Sequence, residues 1–170
     1  MFRRLLFAGL AVLACATVTL ADVHRNEEHQ FEAEFPATAE KMDKPIEAGG
    51  KIVMAYSKDN THIFMLGVAA ETGVDLNPDQ LSEFSKAFIE GILNTRKNAS
   101  ITKEEELKLS DNTPKGNSFV VKHDGGWIYA WATIENNKGY FVFVEATSED
   151  GLKDDVVTKF QKSVKIKGVK

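Results

Sequence analysis

Cysteine is nearly absent from this 170-residue chain, whose one cysteine is Cys15. If the chain loses its first 21 residues, the remainder contains no thiol, which excludes both disulfides and thiolate zinc sites there. The domain must then be stabilised by its own apolar core. A hydrophobic content of 43% makes such a core feasible.

Recognisable catalytic motifs are also lacking from the sequence. It has no nucleophile-elbow serine, no HExxH zinc motif, no EF-hand loop and no phosphate-binding glycine loop. Two places in the sequence offer groups for acid–base chemistry: His123-Asp124, and His62 with the nearby Asn60. However, His123-Asp124 enters a predicted turn, where Asp is common for backbone reasons. We therefore predict a protein that is not an enzyme. The alternative is a hydrolase whose active site is assembled from residues distant in sequence.

Long apolar runs are confined to the N-terminus. Arg3 and Arg4 precede an apolar stretch over residues 5–18, and Ala21 stands before a polar continuation. This pattern is typical of a signal peptide, here residues 1–21, and the stretch is short of the roughly 20 apolar residues that span a bilayer. We expect export to the bacterial periplasm.

Cys15 supports an alternative mode of export. Val12-Leu13-Ala14-Cys15 resembles a bacterial lipobox, in which Ala14 suits the position before the modified cysteine and Leu13 is a poor match. Cys15 would then be the lipidated first residue of a membrane-anchored lipoprotein. Membrane contact is expected only in that case.

The charge balance restricts the partners. The predicted signal peptide has two of the 21 Lys and Arg residues and none of the 25 Asp and Glu residues, which leaves 19 against 25 and a net charge of −6. An acidic surface opposes binding to nucleic acid and to anionic membranes. We expect the partner to be another envelope protein or a small ligand.

Hydrophobic periodicity predicts one α+β domain over residues 30–170, after a flexible polar N-terminal segment at residues 22–29. Strands are predicted at residues 30–35, 51–57, 61–70, 100–110, 118–123, 127–135 and 140–146, and helices at residues 77–94 and 151–163. The later strands are joined by hairpin signals such as Asp124-Gly125-Gly126 rather than by helices. The fold class is therefore α+β, with two main helices packed on a mostly antiparallel sheet.

Three aromatic residues, Trp127, Tyr129 and Trp131, fall on one face of a predicted strand. They form either a platform for a flat ligand such as a sugar ring, or core beneath a helix. The apolar residues of the neighbouring strand favour the core.

The predicted new N-terminus is the sharpest chemical feature. Cleavage after Ala21 would give a chain that begins Asp22-Val23-His24. Its α-amine, the amide nitrogens of Val23 and His24 and the His24 imidazole can occupy the four corners of a square plane, which suits Cu(II) and Ni(II). The arrangement resembles the amino-terminal copper–nickel motif of serum albumin. Asp22, Val23 and His24 are therefore predicted metal ligands, and no other cofactor is expected.

Four structural motifs resemble those of a known group of exported proteins. They are Phe31-x-x-x-Phe35-Pro36, a helix that begins at Pro78, Gly116-x-x-Phe119 and Phe160-x-x-Ser163-Val164-x-Ile166. Together they resemble the PsbP-like superfamily and the related DcrB-like envelope lipoproteins, over nearly all of residues 28–167. The resemblance implies an antiparallel sheet sandwiched between helices. It also implies a non-catalytic accessory role, and it assigns no catalytic residues to this sequence.

Overall fold

The computed structural model describes residues 21–45, 50–70 and 76–167. Ten strands lie within these ranges: β1 (Asp22–Asn26), β2 (Phe31–Phe35), β3 (Glu40–Pro45), β4 (Lys51–Lys58), β5 (His62–Ala70), β6 (Ser100–Lys108), β7 (Lys115–His123), β8 (Gly126–Glu135), β9 (Lys138–Ala146) and β10 (Lys165–Ile166). The helices are α1 (Leu81–Thr95) and α2 (Asp155–Ser163), which follow the 3₁₀ turns Pro78–Gln80 and Asp150–Lys153. The predicted signal peptide, except for Ala21, lies outside the described residues, as does Cys15.

The strands form two antiparallel sheets. Seven of them pair in the order β3-β4-β5-β9-β8-β7-β6, and the other three in the order β1-β2-β10. The β8–β9 hairpin turns at Asn136 and Asn137, whose φ angles of 51° and 61° fit the left-handed conformation that tight hairpins need. The α+β prediction is confirmed, with a second, smaller sheet added to it.

The start of α1 follows from local chemistry. The Asn77 side chain accepts a hydrogen bond from the Asp79 N–H at 2.9 Å, and the Gln80 side chain accepts from the Asn77 N–H at 2.9 Å. This reciprocal capping box fixes where the helix begins. The helix then packs Ile89 and Ile92 onto the face formed by β7, β8 and β9.

The main core lies on the other face of the seven-stranded sheet, beneath α2 and the smaller sheet. The Phe160 ring of α2 is central to it, with ring centroids 5.0 Å from Phe35 and 5.2 Å from Phe64. All three side chains are shielded from solvent. The two cores on opposite faces explain why β8 and β9 are apolar on both sides.

The structure differs from the expectation of a flexible polar segment at residues 22–29. Residues 22–26 form β1, which pairs along its whole length with β2. His24 is the one buried residue of β1, with centroid distances of 6.1 and 6.2 Å to the rings of Phe31 and Phe35. The Asp22 carboxylate accepts from the Ala39 N–H at 2.9 Å. A polar composition did not prevent strand formation, because the backbone of β2 supplies the hydrogen bonds.

Candidate functional site

A polar cleft of about 280 Å³ lies at one end of the seven-stranded sheet, and we call it the His62 cleft. The β4–β5 turn, the β7–β8 turn and the end of β9 meet there. Its lining residues are Lys58, Asp59, Asn60, Thr61, His62, Ile63, Gly125, Glu145, Ala146 and Thr147.

His62 ties β5 to the start of α2. Its Nδ1 lies 2.9 Å from the Thr61 hydroxyl and 3.2 Å from both carboxylate oxygens of Asp59. Its Nε2 lies 3.1 Å from the Gly151 carbonyl and 3.3 Å from the Asp154 carboxylate. The side chain is 4% exposed, so both nitrogens are satisfied by the protein.

Asp59 is held in its charged form by the turn it belongs to. Its partial burial acts to raise its pKa, but the Thr61 and His62 backbone N–H groups and the His62 ring together lower that pKa below its ordinary value. The two N–H donors lie at 2.7 Å from Asp59 Oδ1. A charged carboxylate therefore faces the cleft, oriented by two backbone hydrogen bonds.

The chemistry around His62 is that of a hydrogen-bonded hub. The Gly151 carbonyl and the Asp154 carboxylate offer only acceptors to Nε2, which therefore donates, while Nδ1 lies between the Thr61 hydroxyl and the Asp59 carboxylate. Thr61, His62 and Asp154 then stand in the order of nucleophile, base and acid. The Thr61 hydroxyl also lies 3.2 Å from the Asp59 carboxylate, to which it can donate instead. That competing acceptor makes Thr61 a poorly prepared nucleophile.

A second group of polar side chains is centred on Glu145, which also lines the His62 cleft but projects to the opposite face of the sheet from His62. Arg96 Nη2 donates to the Glu145 carboxylate at 2.8 Å, and His123 Nε2 lies 3.2 Å from its other oxygen without hydrogen-bond alignment. The His123 Nδ1 accepts from the Gly125 N–H at 3.1 Å, which places the proton of a neutral ring on Nε2. Glu145, whose side chain is 17% exposed, therefore lies between the Arg96 guanidinium and the His123 ring.

The adjacent His123 and Asp124 do not act as a pair. Asp124 accepts from the Asn98 side chain at 3.0 and 3.1 Å, whereas His123 turns toward Glu145. Sequence inspection missed Glu145, and no local motif could have found it, because the pairing of β7 with β8 and of β8 with β9 brings the two groups together.

A second, more apolar groove of about 400 Å³ runs between α2 and the end of β2. It is lined by Ala21, Glu34, Phe35, Pro36, Asp155, Val156, Lys159 and Phe160. Among the residues that the structure describes, no helix has both the length and the apolar character needed to cross a bilayer.

Comparison with known proteins identifies the fold. No family model matches the sequence, and a search of curated proteins finds no match. The structure is similar to the solution structure of CyanoP, the cyanobacterial PsbP of Synechocystis sp. PCC 6803, with a TM-score of 0.59 over 92% of this chain and 98% of that chain. The chain has a PsbP-like fold. The two sequences are 10% identical, so the likeness concerns the fold alone.

Within the PsbP-like fold, the predicted metal ligands Asp22, Val23 and His24 belong to β1. Val23 is 52% exposed and His24 is 8% exposed, on opposite sides of the strand. Successive N–H groups of an extended strand point in opposite directions, so a square plane that includes the amides of Val23 and His24 requires β1 to leave the sheet. Among the described residues no cluster of three or more His, Cys, Asp or Glu side chains is arranged to hold a metal ion. Metal binding at this motif stays a prediction.

The three aromatic residues of β8 divide between core and surface. Trp131 is fully buried, and its Nε1 donates to the Leu107 carbonyl at 3.2 Å. Tyr129 packs against the same core, and burial raises its pKa to about 12. Trp127 is half-buried, with the Lys122 ammonium 5.6 Å from its ring. The core interpretation thus agrees with the structure for Trp131 and Tyr129, and only in part for Trp127.

Proposed function

We propose that this chain is an exported, non-enzymatic accessory protein of the bacterial envelope that binds another protein or a small ligand. The PsbP-like fold over 92% of the chain carries the proposal, because the resemblance implies accessory work. We further propose that the His62 cleft is the binding surface.

The build of the His62 cleft supports this choice. Loops held on a rigid sheet are the usual place for binding residues. Asn60 and Thr61 are exposed at its rim, and so is Asp59, whose carboxylate is held by two backbone N–H groups. A ligand or partner that presents hydrogen-bond donors or a positive charge would find preorganised acceptors there.

A photo-cross-linking amino acid placed at Asn60 tests the binding surface in living cells. Asn60 is exposed, and its replacement leaves the contacts of His62 in place. We expect one discrete cross-linked product, with no such product from the same amino acid at Glu104, an exposed position on the distant edge strand β6. No product at Asn60, or the same products at both positions, would contradict the assignment of the cleft.

Thr61 offers a test of the non-catalytic proposal. We expect purified protein to turn over no ester, amide or phosphate substrate. Thr61→Val removes the hydroxyl beside His62 with little change of shape, and Thr102→Val on β6 is the matched control. Reproducible hydrolysis that Thr61→Val abolishes and Thr102→Val retains would overturn it.

Intact-mass spectrometry of the exported form tests the route of export. A chain that begins at Asp22 supports the signal peptide, and a chain that begins at a lipidated Cys15 supports the anchored lipoprotein. Recovery of the uncleaved chain inside the cell would overturn the exported location. The proposed binding role would then require a partner inside the cell.

A further inference from the structure

Three methionines lie side by side on one face of the seven-stranded sheet. Met42 of β3 is paired with Met54 of β4, and Met54 is paired with Gly67 of β5, two residues from Met65. Directly paired residues share a face and side chains alternate along a strand, so all three project to the same face. We call Met42, Met54 and Met65 the methionine triad. The chain has four methionines, and the fourth is Met1, so every internal methionine is in this triad.

The spacing of the triad allows its sulfur atoms to converge. Directly opposite residues have Cβ atoms about 4.5–5.5 Å apart, and diagonal neighbours lie at about 7–8 Å. A methionine side chain is unbranched, with three rotatable bonds, and adapts to irregular spaces. Met54 occupies the middle strand, so one small ion above it is within reach of both neighbouring thioethers.

The residues around the methionine triad shield it partly from solvent but leave it accessible to a small ion. Met42 and Met65 are half-buried, and Met54 is 8% exposed. Gly67 leaves room for the Phe141 ring, since a Cβ at Gly67 would lie 2.4 Å from Phe141 Cζ and 2.9 Å from Met54 Cβ. The ring forms an apolar wall beside the triad. An ion bound there would be partly removed from competing water.

The donor set selects the type of ion. Glu40 lies on the same face of β3, two residues from Met42, but its carboxylate already accepts a hydrogen bond from the Tyr56 hydroxyl. Met42, Met54 and Met65 contribute only thioether sulfur atoms, which are soft ligands that select Cu(I) over hard cations. We propose that Met42, Met54 and Met65 form a Cu(I)-binding site through their three sulfur atoms. This site is chemically distinct from the predicted Cu(II) motif at Asp22-Val23-His24, which uses nitrogen ligands.

Anaerobic titration of the purified protein with Cu(I), in competition with a chromogenic Cu(I) chelator, tests the proposal. The variants are Met42→Leu, Met54→Leu and Met65→Leu, since leucine keeps apolar volume but has no sulfur. We expect one Cu(I) per chain. Loss of an outer-shell partner lowers the metal affinity of a protein site by about 10- to 100-fold. Each variant loses a direct ligand, so its Cu(I) affinity should fall by at least that much. Ile52→Leu, two residues from Met54 on the same face of β4, is the matched control and should bind as the unchanged protein does. His24→Ala should also bind Cu(I) normally.

A second measurement keeps the test independent of folding. Ag(I) is a redox-inert substitute for Cu(I), and the methyl resonances of Met42, Met54 and Met65 should shift together when it is added. Two results would overturn the proposal: failure of the unchanged protein to compete with the chelator, or equal Cu(I) affinity in the triple leucine variant. If a leucine variant does not fold, unshifted methyl resonances in the unchanged protein would overturn it as well.

Discussion

Arg25 on β1 donates a hydrogen bond from Nε to the Glu32 carboxylate on β2 at 2.7 Å. Lys165 on β10 donates to the other oxygen of Glu32 at 2.9 Å. Glu32 therefore stands in the central strand of the smaller sheet with a cation from each edge strand, and its side chain is 12% exposed. One carboxylate thus links the first and last described strands of the fold.

The Glu32 carboxylate should make the smaller sheet sensitive to acid. Hydrogen bonds from Lys165 and Arg25 lower the pKa of Glu32 below its ordinary value of 4.5. The unfolded chain then binds the proton more readily, so this stabilisation is complete above pH 4.5 and is lost as the pH falls through the lower folded value. Glu32→Gln should lower the thermal midpoint by a few degrees at neutral pH, and this loss should shrink as the pH is lowered below 4.5. Glu34→Gln, exposed on the same strand, is the control; equal behaviour of the two variants would contradict the prediction.

His24 should give β1 a second, milder pH dependence. Burial, followed by the positive charge of Lys41, lowers the pKa of His24 from its ordinary value of 6.5. A detached β1 therefore binds a proton more readily than the packed strand, and pairing weakens as the pH falls below 6.5. Hydrogen exchange of the β1 amides should show lower protection at pH 5 than at pH 7.5, after correction for intrinsic rates. His24→Leu should remove the difference, and a difference that persists in that variant would rule out His24 as its source.

Cu(II) should bind the N-terminal motif only when β1 leaves the smaller sheet. In a protein that begins at Asp22, the His24 ring must give up its packing near Phe31 and Phe35 to join the backbone nitrogens. We expect added Cu(II) to produce square-planar visible absorption together with loss of protection in the β1 amides. His24→Ala should show neither effect. Cu(II) coordination with β1 fully protected would contradict this coupling.

The helix start, one strand and the hairpin turns could be predicted from short stretches of sequence. The capping box at Asn77 and Gln80, the alternation in β2 and the hairpin turns each depend on residues a few positions apart. By contrast, β1 and β3 have mostly exposed or partly exposed residues, and their sequences look like polar loops. They are strands because β2 and β4 offer unpaired backbone groups to them. That information is not local to either segment.

The candidate sites were less predictable than the fold, because long-range pairing assembles them. The Gly151 carbonyl that meets His62 Nε2 is 89 residues away in sequence. Met42, Met54 and Met65 are spread over three strands, and only the register of β3, β4 and β5 places them together. Periodicity shows which face a residue occupies within its strand, but it does not reveal which residue lies opposite.

The two tryptophans of β8 provide the last prediction, which separates core from surface on one strand. Trp131 is fully buried and donates to the Leu107 carbonyl, so Trp131→Ala leaves both a cavity and an unpaired acceptor. We expect it to lower the free energy of unfolding by about 3–5 kcal/mol in urea denaturation, against about 1 kcal/mol for Trp127→Ala. Fluorescence gives an independent measurement. Trp127→Phe leaves the buried Trp131 and should show blue-shifted emission, whereas Trp131→Phe leaves the half-buried Trp127 and should emit at longer wavelength. Similar losses of stability for both alanine variants would mean that Trp127 is as much a part of the core as Trp131.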